Sequence, residues 1–303
     1  QWVGGIGFIV VGLAILPFLQ VGGMQLFRLE SSEKSEKAVP QAKRFAFQLL
    51  SIYIGLSVAC TIALLLAGMT PLEAVAQAMS TVATGGFSTS DASIAHFDSP
   101  TIEAITAVFM LSGSLPFLLY VRLGQGRAGP LLQDEQVRGY LRSLAIIIIA
   151  ITLWMVVVAH MPALEALRLV FFQVISMATT TAFVATDYTT WGDAPVIVLF
   201  LLSLVGGCSG STTGGLKAFR FDILYLALRN HIHRLIYPHG TFVAAYNGRQ
   251  VTDDVFAGVL LFIGLYVITI AGVGILLGLI GLDPVSALSG AAGAVSNAGV
   301  GLG

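Results

Sequence analysis

Apolar stretches of two distinct lengths alternate along this chain, and those lengths constrain its fold more than any motif does. A helix needs about 20 apolar residues to cross the hydrocarbon core of a bilayer. Six runs reach or approach that length: residues 2–27, 45–68, 102–121, 144–161, a run from Pro195 to a break near Gly206, and 255–282. Three shorter runs, 71–82, 162–178 and 284–295, each begin with a proline at or near the first helical position. They are too short to span comfortably, so the pattern predicts half-helices that enter the membrane and stop. Composition agrees, because 56% of the 303 residues are hydrophobic and 10% charged, whereas a soluble domain carries about 25% charge. A soluble enzyme, a disordered chain and a nucleic-acid binder are thereby excluded. The expected class is an all-α polytopic membrane protein.

The order of the pieces repeats. A long helix, a proline-started short helix, a loop rich in Gly, Thr and Ser, and a second long helix occur from Phe45 to Val121 and again from Leu144 through the Pro195 run. A third round begins at Val255, and residues 2–27 read as the closing helix of an earlier one. The loops align without gaps: Ser80-Thr-Val-Ala-Thr-Gly-Gly-Phe-Ser-Thr-Ser-Asp91 on Ser176-Met-Ala-Thr-Thr-Thr-Ala-Phe-Val-Ala-Thr-Asp187, with Gly299 of the third loop falling on Gly86. The chain opens on Gln1-Trp2 without an initiator Met, directly in an apolar run, which reads as a start inside a longer protein.

Charge placement predicts orientation. Of 15 Lys and Arg, 14 fall within residues 28–44, 122–142 and 217–249. These regions share one side if long helices span and short ones re-enter from the other, and the positive-inside rule makes that side cytoplasmic. The opposite side carries eight acids, Glu73, Asp91, Asp98, Glu103, Glu165, Asp187, Asp193 and Asp283, against Arg168 alone. A cation-attracting external mouth is expected. Cys60 and Cys208 lie in apolar stretches and read as small buried hydrophobes, since two such residues supply neither a disulfide framework nor zinc-ligand spacing.

Irregular backbone at membrane depth survives only when it is buried in protein or lines a water-filled cavity, so repeated re-entrant loops point to a pore. The C-terminal ends of the short helices and the loop carbonyls face a cation there and replace its hydration shell. Gly85, Gly86 and Gly299 permit the backbone conformations this needs, and neighbouring Thr hydroxyls add oxygens. The plainer reading, that these glycines only let helices pack closely, accounts poorly for three aligned loops behind three proline-started half-helices.

Ser80-Thr-Val-Ala-Thr-Gly-Gly-Phe-Ser-Thr, Gly206-Gly-Cys-Ser-Gly-Ser-Thr-Thr-Gly-Gly-Leu-Lys217 and Ser296-Asn-Ala-Gly-Val-Gly-Leu-Gly303 resemble the TrkH/KtrB superfamily of potassium-uptake proteins, its bacterial TrkH branch most of all. The resemblance implies helix–pore-loop–helix units around a pseudo-fourfold potassium pathway, in a homodimeric, multi-pass protein of the cell (inner) membrane. It places the second helix of pore repeat 1 at residues 1–27, repeat 2 at 42–125, repeat 3 at 138–235 and repeat 4 at 252–303, truncated after its filter. Its selectivity filter falls on Ala83, Thr84, Gly85, Gly86 and Phe87; on Thr179, Thr180, Thr181, Ala182 and Phe183; and on Ser296, Asn297, Ala298, Gly299 and Val300. Ala182 departs from the glycine expected there. If that position needs positive φ, a Cβ costs about 1 kcal/mol or more; otherwise the strand does not need the glycine geometry.

The resemblance also makes residues 206–215 an intramembrane gate under the filter, comprising Gly206, Gly207, Ser209, Gly210, Ser211, Thr212, Thr213, Gly214 and Gly215, with Lys217 holding its cytoplasmic end. A continuous helix is improbable through that many glycines and hydroxyls. A bend filled by neighbouring helices is the plainer alternative. Gly207-Cys-Ser-Gly210 also fits the nucleophile of an intramembrane serine protease, which needs a histidine in reach. His96, His160, His231, His233 and His239 all lie at helix ends or in loops. The basic segment 216–249 reads either as a solvated cytoplasmic stretch or as part of the dock for the nucleotide-binding regulatory subunits (TrkA type) of that family. No phosphate-binding glycine motif occurs in the chain, so nucleotide control must come from a partner. The expected ligand is K+ as the transported ion, with no organic cofactor and no catalysis; membrane lipid is the expected surrounding, and nucleic acid is not a partner. A cation-coupled carrier is the alternative transport mechanism.

Overall fold

The computed structural model describes residues 1–5, 38–126, 129, 133–237, 245–247, 249–299 and 301–302. Most of these residues lie in ten α-helices: α1 (Ala38–Leu66), α2 (Pro71–Val82), α3 (Pro100–Ser114), α4 (Phe117–Gly124), α5 (Glu135–Val157), α6 (Ala163–Ala178), α7 (Asp193–Leu204), α8 (Ala218–Ile236), α9 (Asp253–Leu279) and α10 (Pro284–Ser296). The strands among the described residues are the two-residue arms of one hairpin, β1 (Ala245–Tyr246) and β2 (Arg249–Gln250).

Within α1, residues 46–66, together with α5 and α9, are long and apolar enough to cross a membrane, and only 28%, 22% and 11% of their apolar windows is buried in the protein. Helices apolar all round yet uncovered by protein require lipid as their solvent. The short helices are the opposite. The C-terminal half of α2 and nearly all of α6 beyond its first turn are buried. The long helices therefore shield an interior built from short helices and loops.

Local chemistry sets the boundaries. Pro71 and Pro284 stand in the first turns of α2 and α10, where a missing N–H is harmless. Pro162 sits one residue earlier than expected, as the N-cap of α6. Asp134 caps α5 by accepting from Val137 N at 3.0 Å, so this helix begins well before the apolar run at Leu144. Residues 102–121, expected as one span, form two helices bent by 96°. The cause is Pro116. Its ring drives Leu115 into extended backbone (φ −90°, ψ 158°) and removes a helical donor, so α3 stops at Ser114 and α4 starts afresh. The run expected as residues 2–27 lies outside the described residues beyond residue 5.

Candidate functional site

The three loops that follow α2, α6 and α10 share one backbone design. Each short helix ends with the N–H five residues on returning to a helix carbonyl: Gly85 to Ser80 at 2.7 Å, Thr181 to Ser176 at 3.0 Å and Ala298 to Gly293 at 2.9 Å. This is a Schellman closure, which demands a left-handed residue just before the returning donor. Thr84 (φ 49°), Thr180 (φ 52°) and Asn297 (φ 56°) supply it. A β-branched residue in that conformation is a true outlier, and outliers of this kind gather at functional sites. Two residues further on the sign of φ is positive again, at Gly86 (74°), Ala182 (61°) and Gly299 (64°). In an ordinary strand successive carbonyls alternate direction. Positive φ at every second residue breaks that alternation, and the N–H groups of residues 84–85, 180–182 and 297–299 turn back to their helices.

Ala182 thus adopts the geometry expected of glycine at its position, at about 1–2 kcal/mol of strain. The peptides around it are pinned: Ala182 N donates to Ser176 O at 3.1 Å, and Ser176 Oγ donates to Phe183 O at 2.7 Å. The first and second loops touch through backbone, since a Cβ on Gly86 falls 2.0 Å from Thr181 O. The aligned phenylalanines diverge, Phe87 being 67% exposed and Phe183 wholly buried. Val300 lies outside the described residues.

Residues 205–217 form an irregular loop between α7 and α8, closed at its neck by Gly206 N to Leu216 O and Leu216 N to Leu204 O, both 2.9 Å. It reaches the loops that follow α2, α6 and α10. Thr212 Oγ1 donates to Val82 O at 3.0 Å and accepts from Thr84 Oγ1 at 3.3 Å. Gly214 N donates to Thr180 Oγ1 at 2.8 Å, and a Cβ on Gly214 falls 2.0 Å from Ser296 O. Tyr266 OH joins Ser296 Oγ (2.6 Å) to Leu204 O (3.3 Å), tying the loop after α10 to the end of α7. The broken helix α3/α4 is the seat of this loop: Cys208 N donates to Ser114 O (2.9 Å), Thr212 N to Gly113 O (3.1 Å), and Phe117 N to Gly210 O (3.0 Å). The Gln136 amide, turned so that its oxygen faces two donors, accepts from Ser209 N at 2.8 Å and Phe219 N at 3.2 Å.

Lys217 is the N-cap residue of α8, and its side chain turns into the loop rather than away from it, reaching Ser211 and Thr213. Arg220 stacks on the Phe262 ring, its guanidinium carbon 3.8 Å from the centroid. Ser209 Oγ is buried with no hydrogen-bond partner, so no described histidine stands in reach and the protease reading fails on geometry. Cys60 and Cys208 are buried free thiols, as expected.

At the expected external mouth, Glu103 is buried and pairs with Arg168 at 3.6 Å. Glu73, Asp187 and Asp283 are helix-start acceptors. Thr70 N–H and hydroxyl hold Glu73, Thr189 holds Asp187, and Val285 N and Ser286 N hold Asp283. Hydrogen bonds from the Thr70, Thr189 and Ser286 side chains first, and from backbone second, keep these carboxyls below the usual carboxylate range.

Sequence reasoning missed a matched pair. Gln77 and Gln173 occupy equivalent positions of α2 and α6, three residues before Ser80 and Ser176, and both are wholly buried with neither amide atom hydrogen-bonded. The alignment of the loops, carried back one helical turn, exposes them as a pair. The seat at residues 113–117 was missed as well; Pro116 was its signal.

The chain matches the family TrkH, described as cation transport protein, over residues 1–303. It is 48% identical to the Trk system potassium uptake protein TrkI of Halomonas elongata over 304 residues, covering 100% of this chain and 62% of that protein. It is 36% identical over 308 residues to the Trk system potassium uptake protein TrkH of Escherichia coli, covering 100% and 64%. Among solved structures, the potassium transporter TrkH from Vibrio parahaemolyticus superposes with a TM-score of 0.89 at 32% identity, over 100% of this chain and 63% of that one. The chain thus spans somewhat less than two thirds of the length of each of these relatives.

Proposed function

The chain belongs to the TrkH family of cation transport proteins, and from that premise we propose that it carries the potassium-conducting path of an uptake protein in the cell (inner) membrane. The filter consists of backbone oxygens of residues 83–87, 179–183 and 296–300, presented by pore repeats 2 (42–125), 3 (138–235) and 4 (252–303), with residues 1–27 belonging to repeat 1. Supporting the reading is the alternation of positive φ on three Schellman-closed half-helices whose loop N–H groups are bonded back to their own helices, a backbone able to turn carbonyl oxygens toward a dehydrated cation. Residues 206–215 with Lys217 are the gate, a reading supported by the contact this loop makes with each of the three filter loops.

The process is permeation, and potassium is cargo. No acid or base lies within the three filter loops, so a proton-coupled carrier has no titrating group at the site. Glycine-rich backbone that must move without a catalytic centre suits control from outside. Accordingly, a homodimer regulated by cytoplasmic nucleotide-binding subunits of the TrkA type, docked partly on residues 217–249, completes the proposal.

Potassium-uptake rescue of a transport-deficient cell by the full-length parent tests it, with Gly86→Ala and Gly299→Ala introduced in turn. Loss of rescue or of discrimination against sodium is expected. Unimpaired, still-selective rescue by both variants removes the filter assignment.

A further inference from the structure

The loop at residues 206–215 holds a positive charge inside its own fold. Lys217 Nζ donates to Thr213 Oγ1 at 2.9 Å, to Ser211 Oγ at 3.3 Å, to Ser211 O at 3.4 Å and to the Thr213 carbonyl oxygen. Ser211 and Thr213 are buried. Bonds that do not involve the lysine fix their oxygens: the two hydroxyls lie 2.8 Å apart, Ser211 Oγ donates to Cys208 O at 2.6 Å, and Gly207 N donates to Thr213 Oγ1 at 2.9 Å. The two hydroxyls of the cage are therefore positioned independently of the group that fills it.

Its donor set is informative. An ammonium has three N–H donors, yet four oxygens converge on this one. Two carbonyls and two hydroxyls, all neutral, form the coordination chemistry of a weakly hydrated monovalent cation. A divalent ion wants carboxylates and a transition metal wants imidazole or thiolate, none of which is among the groups of the described residues bonded to Ser211 and Thr213.

We propose that the Ser211–Thr213 oxygen cage is an alkali-cation site for which the Lys217 ammonium and a permeating potassium ion compete. The seated lysine locks the loop across the path, and an incoming ion that takes the oxygens frees the lysine and loosens the loop. Potassium arriving from the filter then acts as the ligand of its own gate. This proposal rests on the pore reading for the place of the loop, though the cage itself does not.

The test uses the full-length parent reconstituted in liposomes, without regulatory subunit or nucleotide. Removing a charge-assisted network predicts that Lys217→Met raises basal rubidium flux about tenfold or more. The same variant is expected to bind one more thallous ion per chain than the parent at equilibrium, displaced by potassium, and the added Thr213→Val substitution should abolish that extra site. Parent-level flux together with parent-level thallous binding in Lys217→Met overturns the proposal. Should Lys217→Met fail to fold, Thr213→Val alone decides: raised basal flux supports the lock and unchanged flux refutes it. A parent that conducts no rubidium under any condition sinks the pore reading, while the thallous binding still judges the cage.

Discussion

Replacing Gly86 by Ala attacks a place where the loops after α2 and α6 meet through backbone. Two penalties combine. Gly86 has φ 74°, and an L residue held in that region costs about 1–2 kcal/mol. Its new Cβ also lies 2.0 Å from Thr181 O and 3.2 Å from Thr181 C. Real Cβ contacts do not fall below 3.0 Å, so the carbonyl must retreat by about 1 Å, and forced backbone shifts of this kind cost about 1–3 kcal/mol. The sum is about 2–5 kcal/mol, concentrated on a carbonyl of the filter. Gly55→Ala is the control, because nothing lies within 4 Å of its Cβ and it sits inside a helix; Ala is favoured there by about 0.8–1 kcal/mol. Thermal unfolding in detergent and sodium inhibition of rubidium uptake, measured on the full-length parent, read both effects. Gly86→Ala is expected to unfold earlier and to admit sodium, whereas Gly55→Ala stays at or above the parent in stability. Indistinguishable melting and selectivity in the two variants would refute the backbone-contact argument.

Three further outcomes are expected. Ala182→Gly relieves left-handed strain of about 1–2 kcal/mol and sharpens potassium over sodium discrimination; unchanged reversal potentials count against it. Gln77→Leu and Gln173→Leu each remove a buried unpartnered amide, so each raises stability by about 1 kcal/mol or more, and a lowered melting temperature in either contradicts the assignment. Acidification loosens the start of α10. The Asp283 carboxyl is held low by its Ser286 and Val285 hydrogen bonds, so its contribution is complete above the ordinary carboxylate pKa and vanishes as pH falls through the lowered folded value. Amide exchange at Val285 and Ser286 that stays slow at that acidity would disprove the cap.

Much of the layout follows from proline placement and run length. Pro71 and Pro284 each mark a helix start, and the register that aligns Ser80 with Ser176 also aligns the residues that adopt positive φ. Ala182 is the instructive case: the family resemblance makes it a departure, yet the loop around it is pinned firmly enough to hold an alanine at positive φ. What stayed illegible involves direction and contact across long separations. Hydropathy summed over 102–121 is blind to a single Pro116, and a charge count on one face cannot tell that Lys217 points inward. Gln136 belongs with these, because an amide that reaches Ser209 N has no signature in a chain without a visible partner nearby.

The bend at Pro116 bears on how the protein is made. Gly113 O, Ser114 O and Phe117 N are bonded by residues 208–212, up to 99 positions later in the chain. Backbone polar groups left open in a bilayer cost several kcal/mol each. While it is being synthesised, the α3/α4 segment therefore has no settled place in lipid until α7 and its loop have emerged. The two interrupted segments enter as a pair, the first waiting in a wet or chaperoned state for the second, and a ribosome stalled between residues 124 and 205 leaves a nascent chain open to proteolysis at the bend.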